Sequence, residues 1–250
     1  MPSVKTDIVD PPAIQASEVR FSQPLVVSII PKSEGEVHYT LDGSEPSAAS
    51  MLYTAPFTIT TTTVVKARVF RKDGTPSFTA TRKFNYDYIV ATTFSRKPSP
   101  PYNVGTDTIL FDGEKGSVDN FNEGWLGFSG NAVTATVELS KSVDVEYVTL
   151  RFAHSPATWA FVPRQLTLML SPDGSTYTDT LHVEAPFNPS DEAEKAPRVV
   201  ELRVPVGKAG VKYLKVIANP IAAIPAWHRA KGLKPWMLID EIEVGEKIEN

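Results

Sequence analysis

Hydrophobic and polar residues alternate with a period of two along most of the chain, and the 3.6-residue spacing of an amphipathic helix is hard to find. In "VHYTLD" Val37, Tyr39 and Leu41 share one side against polar neighbours, and in "VVKARVF" Val65, Ala67 and Val69 do the same. Such alternation predicts strands with one buried face. Further along, "VTATVEL" (133–139), "VTLRF" (148–152), "LTLML" (166–170), "VVELRVPV" (199–206), "VKYLKVIA" (211–218) and "MLIDEIEV" (237–244) predict six more. The expected fold class is all-β. Several short strands in about ninety residues suit a small immunoglobulin- or fibronectin-like β-sandwich, and the later strands suit a two-sheet jelly roll.

Punctuation divides these runs. "FSRKPSPPYN", residues 94–103, concentrates proline and polar side chains that favour extended, non-packing chain. This predicts a linker over 94–104 between domains at 1–93 and 105–250. "EAPFNPSDEAEKAP", residues 184–197, reads as an exposed, proline-bounded insertion with at most a helical turn, and the tail "GEKIEN" is expected to fray.

The composition, 42% hydrophobic and 22% charged, is that of a folded globular chain, with no apolar run of the ~18 residues a membrane helix needs. A net charge of -4 with scattered Lys and Arg gives no footprint for nucleic acid and argues against polyanion binding. The absence of cysteine excludes disulfides, thiolate metal sites and a cysteine nucleophile. The start "MPSVKTDIVD" lacks the charged-then-apolar pattern of an export signal, which reads as a cytosolic chain or as a piece of something longer. No nucleophile elbow, phosphate-cradling loop or nucleotide fingerprint occurs, so no catalytic residue is assigned. Asp42 and Glu45, three apart after a strand, resemble a general acid/base pair only in spacing. Gly43 and Pro46 make the segment a turn, and its Ser and Ala neighbours give no desolvation, so the pair is expected to be solvated.

The same turn carries a family resemblance. "YTLDGSEPSAASMLYTAPFTITTTTVVKARVF" resembles the C-terminal domain of chitobiases and β-hexosaminidases through Tyr39, Thr40, Asp42, Gly43, Ser44, Pro46, Ser50, Leu52, Tyr53, Pro56, Lys66 and Ala67, over about residues 14–86. The resemblance implies a non-catalytic β-sandwich attached to an exported bacterial glycosidase of family twenty. "LFDGEKGSVDNFNEGWLGFSG" with the later "FVPRQLTLMLSPDGSTY" resembles discoidin, or coagulation-factor type C, modules of carbohydrate-binding families, through Leu110, Asp112, Gly113, Trp125, the 133–139 strand, Pro163, Ser171, Asp173 and Gly174. It extends over about residues 105–245.

These resemblances imply two sites in the second domain. Asp112 and Asp119 in a Gly-containing loop, with Glu241 in the last strand, offer the hard oxygens a structural calcium ion requires. Trp125, Trp159, Trp227 and Trp236 fall in or beside predicted loops, where flat rings suit stacking on a sugar while His154, His228 and Arg229 meet its hydroxyls. Trp159 and Trp227 are the preferred pair, each near a histidine, and Trp125 within "GWLGF" suits a core plug as well. His38 and His182 are expected to face solvent, and the histidine spacing fits no zinc site. The implied function is that of a secreted glycosidase's accessory region. It would bind N-acetylhexosamine- or galactose-containing glycans beside a parent catalytic domain, in the periplasm, on the outer membrane or outside the cell. The alternative is a pair of rigid scaffold domains that bind no sugar.

Overall fold

The computed structural model describes residues 8–103, 108–121 and 123–246. The chain divides after Asp87 into two compact units. The first holds eight strands, of which β4 and β7 coincide with the two alternating runs read from the sequence: β1 (Ala13–Gln15), β2 (Arg20–Phe21), β3 (Leu25–Ile30), β4 (Glu36–Thr40), β5 (Met51–Leu52), β6 (Phe57–Ile59), β7 (Thr63–Phe70) and β8 (Ala80–Tyr86). They form a three-stranded sheet, β1-β3-β6, and a five-stranded sheet, β2-β8-β7-β4-β5. Val65, Ala67 and Val69 of β7 meet Val27 and Ile29 of β3 in a closed core that also holds Val37 and Phe84. His38 departs from expectation. It is buried, its Nδ1 lies 3.0 Å from the Ser50 carbonyl and its ring stands edge-on to Phe70, with the short edge strand β5 paired beside it.

The second unit contains β9 (Ile89–Phe94), β10 (Leu126–Ser129), β11 (Val133–His154), β12 (Gln165–Ser171), β13 (Asp179–Glu184), β14 (Arg198–Asn219) and β15 (Trp236–Glu246). Two strands of 22 residues, β11 and β14, run antiparallel to each other and organise the rest. Register shifts between Glu138 and Tyr147 bend β11 midway, and Gly207 and Gly210, both at positive φ, let β14 bend beside it. The first half of β11 pairs with β9 and the second half of β14, which in turn pairs with β12. The second half of β11 pairs with the first half of β14 and with β15. Val137, Leu139, Leu168 and Leu214 from one half, and Val148, Leu150, Phe152, Leu202 and Ile242 from the other, are buried. This all-β unit has a consequence for the site: both ends of β11, the start of β12, the end of β13, the junction into β14 and the start of β15 gather their loops at one end.

The predicted linker is part of this unit. Residues 89–94 form β9 on β11, the Ser95 amide donates to the Thr134 carbonyl, the Ser99 amide to Gly127 O, and Tyr102 packs edge-on against Trp236. The domain break therefore lies after Asp87 rather than at 94–104. Proline lowers strand propensity, but here the proline-rich segment is tied down by main-chain hydrogen bonds on either side of its prolines. The expected domain start at 105 falls among residues 104–107, outside those described, as do residues 247–250 of the tail.

Candidate functional site

The loop end is closed by residues 155–164, the insertion at 185–197 and the segment 220–235. Pro156–Thr158 forms a single 3-10 turn, and Trp159 ends it at φ 66, in the left-handed region that a bulky residue adopts only under strain. The Trp159 carbonyl accepts from the Trp236 amide, and its half-buried ring packs against Phe161, Ile221, Ile224 and Ala230. The insertion makes its own 3-10 turn, Glu192–Glu194, capped by Asp191. Trp227 Nε1 donates to the Ser190 carbonyl at 2.8 Å, and Lys195 Nζ lies 5.0 Å from its ring centroid. His228 stands edge-on to Trp227, and its Nδ1 accepts from the Ala230 amide. That bond fixes the neutral ring as the Nε2–H tautomer, a donor, beside a half-exposed indole. Arg229 is exposed on the same segment.

Three of the predicted sugar contacts have other work. His154 is wholly buried. Its Nε2 lies 2.7 Å from the Glu194 carbonyl and its ring sits edge-on between Phe161 and Phe187, so it anchors the insertion and cannot meet a ligand. Trp125 is 2% exposed and its Nε1 donates to Ser117 O. Trp236 is half-buried against Tyr102 at the start of β15. Trp159, Trp227, His228 and Arg229 remain at the loop end. The sequence reading missed the insertion's part in this arrangement: Ser190 and Lys195 hold Trp227, and the Arg198 guanidinium, ion-paired with Glu194 at 2.5 Å, lies 4.1 Å from the Phe187 centroid. Phe187, a lone aromatic residue in a polar insertion, was the available signal.

Burial holds the His154 pKa below the ordinary histidine value, reinforced by the nearby Arg198 charge and opposed by the bond to Glu194. The unfolded chain therefore takes up a proton that the folded one refuses, so stability falls with acidification. Between about pH 7 and about pH 5 the melting temperature of the wild type is expected to drop more steeply than that of His154→Gln, whose side chain does not titrate. Parallel slopes for the two proteins would show that His154 is not buried neutral.

The acidic trio does not converge. Asp112 is exposed and its Oδ1 accepts from the Glu114 amide, while Asp119 is exposed and hydrogen-bonds Ser117. Each carboxylate is held by its own short turn, and among the described residues no three His, Cys, Asp or Glu side chains cluster as metal ligands. Glu241 is buried and its Oε1 accepts from the Gly113 amide at 2.7 Å. Beside it Asp240, fully buried in the β15 irregularity, accepts at Oδ2 from Arg151 Nη1 at 2.5 Å and from the Gly116 amide at 2.8 Å. Asp240 Oδ1 is buried with no hydrogen-bond partner among the described residues. Desolvation raises the Asp240 pKa to about 6 against the pull of Arg151. The buried hard oxygens at this place are those of Asp240 and Glu241, not of Asp112 and Asp119, and the loop above meets them with the amides of Gly113 and Gly116.

Residues 16–81 match the chitobiase/beta-hexosaminidase C-terminal domain. No curated protein matches the chain. Among solved structures it is similar to a pectin binding carbohydrate binding module, at 18% identity and TM-score 0.36 over 64% of this chain and 92% of that one. It is similar to CBM32-3 from a family 31 glycoside hydrolase of Clostridium perfringens, at 12% identity and TM-score 0.40 over 64% and 92%. It is also similar to the C-terminal domain of a chitobiase from Bacteroides fragilis, at 14% identity and TM-score 0.38 over 65% and 94%.

Within the chitobiase-type domain the acidic turn is structural. Asp42 Oδ1 accepts from the Ser44 amide and hydroxyl, and Glu45 pairs with Lys66 and accepts from Thr79. These hydrogen bonds lower both pKa values, the reverse of what a general acid requires. Among the described residues no helix is long and apolar enough to cross a membrane.

Proposed function

We propose that the chain is a non-catalytic accessory region of an exported glycoside hydrolase, and that the loop end of its second unit binds glycan. The observation that carries this reading is the pair Trp227–His228. An indole pinned by Ser190 and Lys195 presents a pre-set stacking surface, and the adjoining Nε2–H is placed to meet a hydroxyl. Trp159 and Arg229 complete the site. The chitobiase-type domain at 16–81 supports a parent catalytic domain of the β-N-acetylhexosaminidase kind, with N-acetylhexosamine- or galactose-containing glycans as ligands. A calcium ion would be held by Asp240 and Glu241, stiffening the loop above them. The scaffold alternative draws on the burial of Trp125 and His154.

All four tryptophans lie in the second unit, so their fluorescence reports on it alone. Titration with N-acetylglucosamine, galactose and a mucin-type glycan pool is expected to give a saturable change that Trp227→Ala abolishes while the variant stays folded. An unresponsive wild type at millimolar glycan would leave the scaffold reading in its place. Chelation is expected to lower the melting temperature and calcium to restore it. Insensitivity of Asp240→Asn to both reagents would locate the ion, whereas an insensitive wild type would remove it.

A further inference from the structure

The sequence scatters its basic residues, but the fold collects a set of them. Three segments meeting at the loop end, 95–103, 155–164 and 220–235, carry Arg96, Lys97, Arg164, Arg229, Lys231 and Lys234 and not one Asp or Glu, in a chain of net charge -4. Contacts show how closely some of them stand. Arg96 Nη2 donates to the Asn131 carbonyl at 2.6 Å, and the same 129–131 turn packs Gly130 against the Lys234 stem, so Arg96 and Lys234 flank one turn. The Arg164 amide donates to Asn219 O and its carbonyl accepts from Ala185, which places it between segment 220–235 and the insertion.

The acids of the neighbouring insertion do not answer this charge. Glu192 pairs with Lys195, Glu194 with Arg198, and Asp191 caps its own turn. Among the described residues none of the six cations forms an ion pair, and all but Arg96 are exposed. At the opposite end of the unit Asp144 and Asp173 accept main-chain amides and Asp179 pairs with Lys208. Arg164 shares its segment with Trp159, and Arg229, Lys231 and Lys234 share theirs with Trp227.

We infer that the ligand of the loop end is an anionic polysaccharide, one bearing carboxylate or sulfate groups. The inference rests on the reading that this end binds glycan. Trp227 and Trp159 would stack on sugar rings while the surrounding Lys and Arg meet the anionic substituents of successive residues. Arg in particular suits bidentate contact with carboxylate or sulfate. Like-signed cations crowded on loops repel one another until an anion arrives, and their field raises the local concentration of such a ligand.

Isothermal titration of the full chain compares hyaluronan, which carries only carboxylates, dextran sulfate, which carries only sulfates, and a neutral galactan. At least one anionic polymer is expected to bind about tenfold or more tighter than the galactan, and to weaken steeply between about 50 mM and about 300 mM salt. The variant R164Q/K231Q/K234Q, which keeps most of each side-chain stem, is expected to lose that preference while its galactan affinity stays put. Which polymer binds names the anionic group. Galactan binding equal to or above the anionic polymers, or no loss in the triple variant, would overturn the inference and leave glycan binding standing. Failure to bind any polymer or neutral sugar would instead overturn the glycan reading itself. Duplex DNA binding as tightly as the best polysaccharide would also defeat the inference, since the end would then be a general polyanion surface.

Discussion

Replacing Arg151 by alanine is expected to remove about 3–5 kcal/mol from the stability of the second unit. The guanidinium lies on the second half of β11, opposite Glu241 in register, with Nη1 on Asp240 and Nε 3.9 Å from Glu201. Without it a fully buried Asp240 keeps the Gly116 amide but loses its nearest cation. Burial already costs this carboxylate, as its pKa of about 6 records, and an uncompensated charge is the expensive state of a buried pair. Loosening of loop 111–117 follows, since Gly116 is bonded to the carboxylate that Arg151 balances and Gly113 to the adjoining Glu241. Urea unfolding followed by tryptophan fluorescence, in chelator so that no divalent ion substitutes, measures the effect. Arg151→Ala/Asp240→Asn should recover much of the loss, because the amide needs no counter-charge. A double variant no better than the single one would show that the guanidinium acts through packing rather than through Asp240.

Period-two alternation reached β4 and β7 of the first unit and β11, β12, β14 and β15 of the second, because a half-buried strand writes its geometry directly into the sequence: Val65, Ala67 and Val69 are fully buried, as their spacing requires. It did not reach the bends of β11 and β14, where the pattern continues while the layer changes. Composition misplaced the domain break because proline content measures strand propensity, whereas Ser95, Ser99 and Tyr102 are held by main-chain partners more than twenty residues away in sequence. The candidate site divides by the same logic. Trp227, His228 and Arg229 are neighbours in sequence and stay neighbours in space. His154 looked like a ligand contact because nothing local announces that Phe161, Phe187 and the Glu194 carbonyl will enclose it. Asp240 went unnoticed beside Glu241 because strict alternation gives adjacent residues opposite faces, and only the register irregularity between Arg151 and Phe152 brings both under one loop.

Trp125→Ala is expected to cost about 3–5 kcal/mol, close to the loss from Arg151→Ala and far above that from Trp227→Ala. The indole fills a small core with Ala153, Ala160 and Leu238, edged by Tyr102, Val118, Phe121 and Trp236. No small neighbour can collapse into the space, since the surrounding groups belong to β11, β15 and three separate loop segments. Its Nε1–H donates to the Ser117 carbonyl at 3.0 Å, and Gly116 lies so close that an added Cβ would stand 2.4 Å from Cε2. Gly116→Ala should therefore destabilise through the same contact from the other side, and combining it with Trp125→Ala should be less than additive because the smaller residue leaves room for the methyl group. Trp227 is half-buried against a loop carbonyl, a lysine and His228, so its truncation should cost about 1 kcal/mol or less while abolishing the glycan response. Urea curves and glycan titrations on the same variants set the two tryptophans apart: Trp125→Ala must move the unfolding midpoint and Trp227→Ala the binding curve. If Trp125→Ala leaves the midpoint in place and removes glycan binding, the indole is a ligand contact and its assignment to the core is wrong.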